Sequence, residues 1–269
     1  MRRASFIFII SLIFLSPLAA QESPEILVKN ENDEYRPLKI SDLKIDVQVI
    51  GNLSVTTMDI TFYNDLNRIL EGQFYFPLSE GQSVSRFALE VNGTLREGVI
   101  VERAKGREVY ESTIRQQIDP GLLEWTKGNN FKARIYPVPP KGYKRLVVAY
   151  EQELTDQDAG FLYLLPLGFK HKVDNFSLKV KVLKQKVTPE LSSSNELINF
   201  SFKKWNESYI AEIKEKKYLP DKQLAFILPK TKAYTRISIE KTEGQTYFYL
   251  HLNPVNIPAQ SHLRLETLC

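Results

Sequence analysis

The sequence predicts a mainly β protein: an antiparallel β-sandwich with one short helix, followed by a second antiparallel β-sandwich-like domain. Three observations predict it. Apolar and polar side chains alternate with a period of two through most apolar segments. Clusters of Gly, Pro, Asn and Asp punctuate those segments at roughly ten-residue spacing. A helical period occurs in one stretch, residues 104–117, where Tyr110, Thr113 and Ile114, with Ile118 just beyond, stand three and four residues apart.

Residues 1–20 read as a secretory leader. Arg2 and Arg3 precede an apolar core from Phe6 to Leu15, and Ala19 and Ala20 supply a cleavage site near Ala20. The apolar run falls short of the ~20 residues a spanning helix needs, so no membrane span is expected after cleavage. A secreted, periplasmic or cell-surface location follows as the expectation. Residues 21–36 are polar and acidic and read as a flexible lead-in. The single cysteine, Cys269, leaves no pair for an internal disulfide.

The alternation begins at Leu43, Ile45, Val47 and Val49, a half-buried strand. Gly51-Asn52 turns the chain into a second strand over residues 55–63, rich in Thr and β-branched residues. Phe74-Tyr75-Phe76 makes a third, ended by Pro77, which lacks a ladder donor. Phe87, Leu89 and Val91 lead to Asn92-Gly93, a pair suited to the positive φ angles of a tight hairpin, with a return strand carrying Val99 and Val101. The short helix over residues 104–117 then presents Arg107, Glu108, Glu111 and Arg115 outward.

Asp119-Pro120-Gly121 forces a turn. Trp125 sits in a Gly- and Asn-rich loop, either as a lid over Leu122 and Leu123 or as a possible contact loop. Phe131, Ala133 and Ile135 define a strand stopped by Pro137. Residues 139–142 turn it into a strand over 145–153, expected to be its antiparallel neighbour. A boundary is placed in the polar segment 155–160, and the second β-domain runs over 160–253. Its strands are expected at residues 163–167, 176–183, 197–202, 209–213, 224–228, 235–239 and 247–252. Residues 254–269, marked by Pro254 and Pro258, read as an extended linker.

The order Glu71-Gly72, Pro77, Asn92-Gly93, Asp119-Pro120-Gly121, Glu124, Arg134 and Pro137 resembles the vault protein inter-alpha-trypsin (VIT) domain over residues 37–155. That module fronts inter-alpha-trypsin inhibitor heavy chains and many bacterial surface proteins. The resemblance implies a structural role for those motif residues, and a buried salt bridge with Arg134 or Arg145 is a simpler reading of Glu124 and Glu151 than a catalytic pair. The resemblance also implies a von Willebrand factor A domain downstream, whose Asp-x-Ser-x-Ser metal motif is missing from this sequence. The chain is therefore expected to be truncated before that domain.

Chemistry has little to work with. His171, His251 and His262 are widely separated and show no ligand spacing, and no phosphate loop, nucleophile elbow or zinc motif occurs. No metal, cofactor or catalytic residue is assigned. Net charge is +4, or +2 without Arg2 and Arg3, too small for a nucleic-acid surface. The expected function is an exported, non-enzymatic interaction and scaffold module for adhesion or matrix binding. Its partner is the downstream A domain or another surface or matrix protein. The rival is a carbohydrate-active or proteolytic accessory with a site between the two β-domains, for which carboxylates such as Glu124 and Glu151 are the candidates.

Overall fold

A computed structural model of the chain describes residues 23–30, 34–102, 122–126, 128–230, 235–242 and 244–252. These residues are mainly β and mostly antiparallel. The expected helix at 104–117, the turn at Asp119-Pro120-Gly121, the leader and the linker lie outside them.

A six-stranded sheet contains β1 (Glu25–Lys29), β2 (Tyr35–Pro37), β5 (Leu70–Pro77), β8 (Val99–Glu102), β9 (Leu122–Thr126) and β10 (Asn130–Val138). Its order is β2-β1-β5-β10-β9-β8. An eight-stranded sheet is built from β3 (Lys39–Ile50), β4 (Leu53–Tyr63), β6 (Gln82–Val91), β7 (Thr94–Glu97), β11 (Tyr143–Glu153), β14 (Val173–Leu183), β16 (Lys203–Trp205) and β17 (Ser208–Tyr218). Here the order is β16-β17-β14-β3-β4-β11-β6-β7. A four-stranded sheet holds β12 (Thr155–Gln157), β13 (Gly160–Pro166), β15 (Glu190–Leu191) and β18 (Gln223–Pro229), and β19 (Thr235–Thr242) pairs only with β20 (Gln245–Leu252).

The alternation read from the sequence sets the inner faces. β3 turns Leu43, Ile45, Val47 and Val49 inward, and β14 does the same with Phe176, Leu178, Val180 and Val182. Phe74 and Phe76 of the six-stranded sheet meet Phe87 and Tyr150 of the larger one at ring distances of 6.2 and 6.1 Å. From the four-stranded sheet, Tyr163 and Phe226 join the same apolar cluster. The eight-stranded sheet is thus a floor on which both other sheets rest. Each fully buried large side chain contributes ~1.5–3 kcal/mol.

Five expectations are corrected. The lead-in contains β1, whose Ile26 and Val28 are fully buried beside β5; two inward residues make too short a period to stand out. The return strand after Asn92-Gly93 is Thr94–Glu97, and Val99–Glu102 crosses to the other sheet, parallel to β9. Alternation identifies a strand but not the sheet it joins. Likewise β10 and β11 are not neighbours, because residues 139–142 arch from one sheet to the other. Asn64 holds this arch: its side-chain amide donates to the Pro139 carbonyl at 2.9 Å, and its backbone N–H donates to the Gly142 carbonyl, also at 2.9 Å.

Residues 197–202 form no strand: Leu197 and Phe200 are buried from a turn in which Asn199 has φ 61°. The strand is β16, immediately after. Finally, pairing runs straight across the boundary placed at 155–160. β14 lies parallel to β3, from Asn175 opposite Asp42 to Leu183 opposite Ile50, so the two expected domains share one sheet and one core.

Candidate functional site

The polar residues of the VIT-like motif converge on the outer face of the six-stranded sheet. Along β5, Gly72, Phe74 and Phe76 point into the core, which leaves Glu71, Gln73 and Tyr75 outside. Along β10, Phe131, Ala133 and Ile135 go in, and Lys132, Arg134 and Tyr136 stay out. Antiparallel register sets Gln73 opposite Arg134 and Tyr75 opposite Lys132. It continues from Lys132 to Glu124 on β9 and from Tyr75 to Glu25 on β1. The row Glu25, Tyr75, Lys132, Glu124 therefore crosses four strands, about 14 Å at ordinary strand spacing.

Contacts within this face are short and specific. Arg134 Nε bonds Glu71 Oε1 diagonally across the strand pair. The Lys132 ammonium lies 4.6 Å from the centre of the Tyr75 ring. The Tyr75 hydroxyl donates to Gln73 Oε1 at 2.7 Å. Partial burial pushes the Tyr75 phenol above its ordinary value, helped by the neighbouring Tyr35 and Glu25. Tyr136 and Tyr35 are half exposed at the margins. Cations and carboxylates alternate across the face. Such a face offers rigid aromatic and Arg contact area. It brings no nucleophile and base together.

Glu71, Glu124 and Arg134 are thus brought together, while the other motif residues serve elsewhere. Gly72 faces inward against Ile26, where a β-carbon would lie 2.4 Å from Ile26 Cγ2. Pro77 closes β5 opposite Asn130, and Pro137 sits near the end of β10. Asn92 and Gly93, at φ 51° and 76°, make the β6–β7 turn of the other sheet. Trp125 lies in β9, not in a loop; it is 52% exposed and stacks on Phe131 with ring centres 6.4 Å apart.

The buried salt bridge expected for Arg134 or Arg145 is corrected too. Arg134 pairs with Glu71, and Arg145 binds Asp59 through two contacts of 2.8 and 2.7 Å, both pairs reaching solvent. Glu124 and Glu151 stand on different sheets. Gln73, Tyr75, Lys132 and Glu25 were missed by sequence reasoning. Their outward parity was visible in the alternation of β5 and β10, but their register was not. Among the described residues, no group of three or more His, Cys, Asp or Glu side chains could hold a metal ion. Among them also, no helix is long and apolar enough to cross a membrane.

Residues 40–150 match the family described as the vault protein inter-alpha-trypsin domain. Protein mono-ADP-ribosyltransferase PARP4 of Mus musculus is 22% identical over 130 residues, which cover 48% of this chain and 7% of that protein. A von Willebrand factor A domain-containing protein of Dictyostelium discoideum is 25% identical over 136 residues, 51% of this chain and 14% of its own length. Human von Willebrand factor A domain-containing protein 5A is 23% identical over 133 residues, with coverages of 48% and 17%. The matched part thus spans at most 17% of the length of these relatives. Among solved structures, an M1 zinc metallopeptidase from Deinococcus radiodurans aligns at a TM-score of 0.41 and 12% identity, over 80% of this chain and 47% of that one. That likeness carries no argument about activity.

Proposed function

From the match of residues 40–150 to the vault protein inter-alpha-trypsin domain, we propose that the chain is an exported, non-enzymatic protein-interaction module. Its contact surface is the outer face of the six-stranded sheet. The carrying observation is that Glu71, Glu124 and Arg134, scattered over the sequence, lie on one exposed face with Tyr75 and Lys132. Exposed polar and aromatic groups on a rigid sheet fit recognition better than core packing does. The leader at residues 1–20 supports export. The names of two relatives support a von Willebrand factor A domain as the partner, joined in the same polypeptide or met on another surface protein.

The test begins with the gene. The reading frame beyond Cys269 is sequenced, and any A domain bearing Asp-x-Ser-x-Ser is expressed alone and titrated calorimetrically against this chain. Binding that weakens more than tenfold in Glu71→Arg or Arg134→Glu, with the fold intact by circular dichroism, supports the reading. An A domain that ignores the chain, or binds both variants as well as the parent, removes it. The carboxylate-pair alternative has no observation in its favour, since Glu124 and Glu151 belong to different sheets.

A further inference from the structure

The β16–β17 hairpin ends in an exposed indole set among lysines. Trp205 pairs with Ser208 across a two-residue turn in which Asn206 has φ 53°. The side chain is 58% exposed, an unusual position for the largest apolar residue. On the same face and strand stands Lys203, opposite Ile210, which in turn lies opposite Lys181 of β14. Lys203 and Lys181 therefore flank a half-buried Ile210 about 10 Å apart, two strand spacings. The segment after β14 brings two more cations to this corner. Gln185 N–H donates to the Glu207 carbonyl in the hairpin turn at 3.0 Å, which places exposed Lys184 and Lys186 beside it. Lys204 is exposed on the edge strand.

These five lysines differ from three that stand on the large sheet. Lys39, Lys44 and Lys214 each meet a carboxylate at 2.6, 3.2 and 2.9 Å. Among the described residues, no ion pair involves Lys181, Lys184, Lys186, Lys203 or Lys204. One acidic residue, Glu207, lies in the turn itself. The corner thus combines uncompensated positive charge, flexible ammonium stems and one protruding indole. Indoles partition to the headgroup level of a bilayer, and lysines are drawn to anionic lipid.

We propose that this corner is a peripheral docking site for an anionic lipid bilayer, with Trp205 entering the interface and the lysines binding headgroup phosphates. It is a surface distinct from the face proposed for protein contact. A rigid β-hairpin presents the indole without ordering cost. Attraction comes from several screened charges, so binding falls as salt rises. Each lysine near the surface contributes about a fivefold change in partitioning.

The experiment uses the chain without residues 1–20, the form that leader cleavage leaves, and vesicles of phosphatidylglycerol or phosphatidylcholine. Co-sedimentation at low salt is expected with phosphatidylglycerol and not with phosphatidylcholine. A Trp125→Phe background isolates Trp205, whose emission shifts to the blue on vesicle binding. Lys203→Glu with Lys204→Glu lowers binding more than twentyfold, and Trp205→Ala lowers it about tenfold, with unchanged circular dichroism. Absence of sedimentation overturns the proposal, as does equal binding to both lipids or indifference to the lysine reversals. Binding to heparin without binding to vesicles also overturns it, and assigns the corner to a soluble polyanion.

Discussion

At Gly72 one missing methyl group decides whether β1 can dock. The added β-carbon of alanine meets Ile26 Cγ2 at 2.4 Å, and Ile26 is fully buried with nowhere to move. Gly72→Ala is expected to cost ~1–3 kcal/mol in urea unfolding. Adding Ile26→Ala, which removes the clashing methyl, makes the double variant less destabilised than the sum of the two changes. A second residue-scale feature is the hydroxyl cluster where the three sheets meet. Thr56 Oγ1 and the Tyr163 hydroxyl lie 2.8 Å apart, and the Tyr150 hydroxyl lies near both. Burial pushes Tyr150 up to about 12 and Tyr163 well above its ordinary value. Both raised values favour the neutral phenol in the fold. Their contribution is complete below the unfolded value near 10 and fades as pH rises through the folded values. Unfolding followed by circular dichroism should therefore coincide with phenolate absorbance at 295 nm, above about pH 11. Phenolate appearing for these two residues near pH 10 with the fold intact would show the cluster to be open to water.

At the scale of elements, most strands were legible and their partners were not. The alternations of Leu43 to Val49 and of Phe176 to Val182 mark β3 and β14 plainly. Nothing in either pattern says that they pair in parallel, because register and partner are settled by tertiary packing. The outward residues of the candidate face were similarly visible strand by strand, while the meeting of Glu71 with Arg134 depended on pairing. β1 escaped notice because two inward residues, Ile26 and Val28, are all it shows. Its importance is testable. A chain starting at residue 38 loses both β1 and β2 and uncovers the edge of β5, where Phe74 and Gly72 pair with Ile26 and Val28. Such a chain should aggregate or melt at least 10 °C lower by circular dichroism, since an open apolar edge invites association. An unchanged melting temperature would restore the lead-in reading for residues 21–36.

For the whole molecule, the shared eight-stranded sheet predicts cooperative behaviour. β14 and β17 lie beyond the expected boundary yet extend the sheet begun by β3 and β4, and one apolar cluster runs through all three sheets. Calorimetry should therefore record one transition for the described body, and residues 160–252 alone should stay unfolded by circular dichroism. Two separated transitions, or a folded fragment, would show that the two halves are independent after all. The parallel seam between β3 and β14 has a further consequence in time. β3 ends at Ile50, whereas β14 begins only at Val173. As the polypeptide leaves the ribosome, β3 and β4 can zip together early, but the far edge of β3 stays open until the four-stranded sheet has begun to form. During that interval the half-made protein exposes a long row of unsatisfied amides and carbonyls. Synthesis thus becomes the stage at which this fold most needs a chaperone.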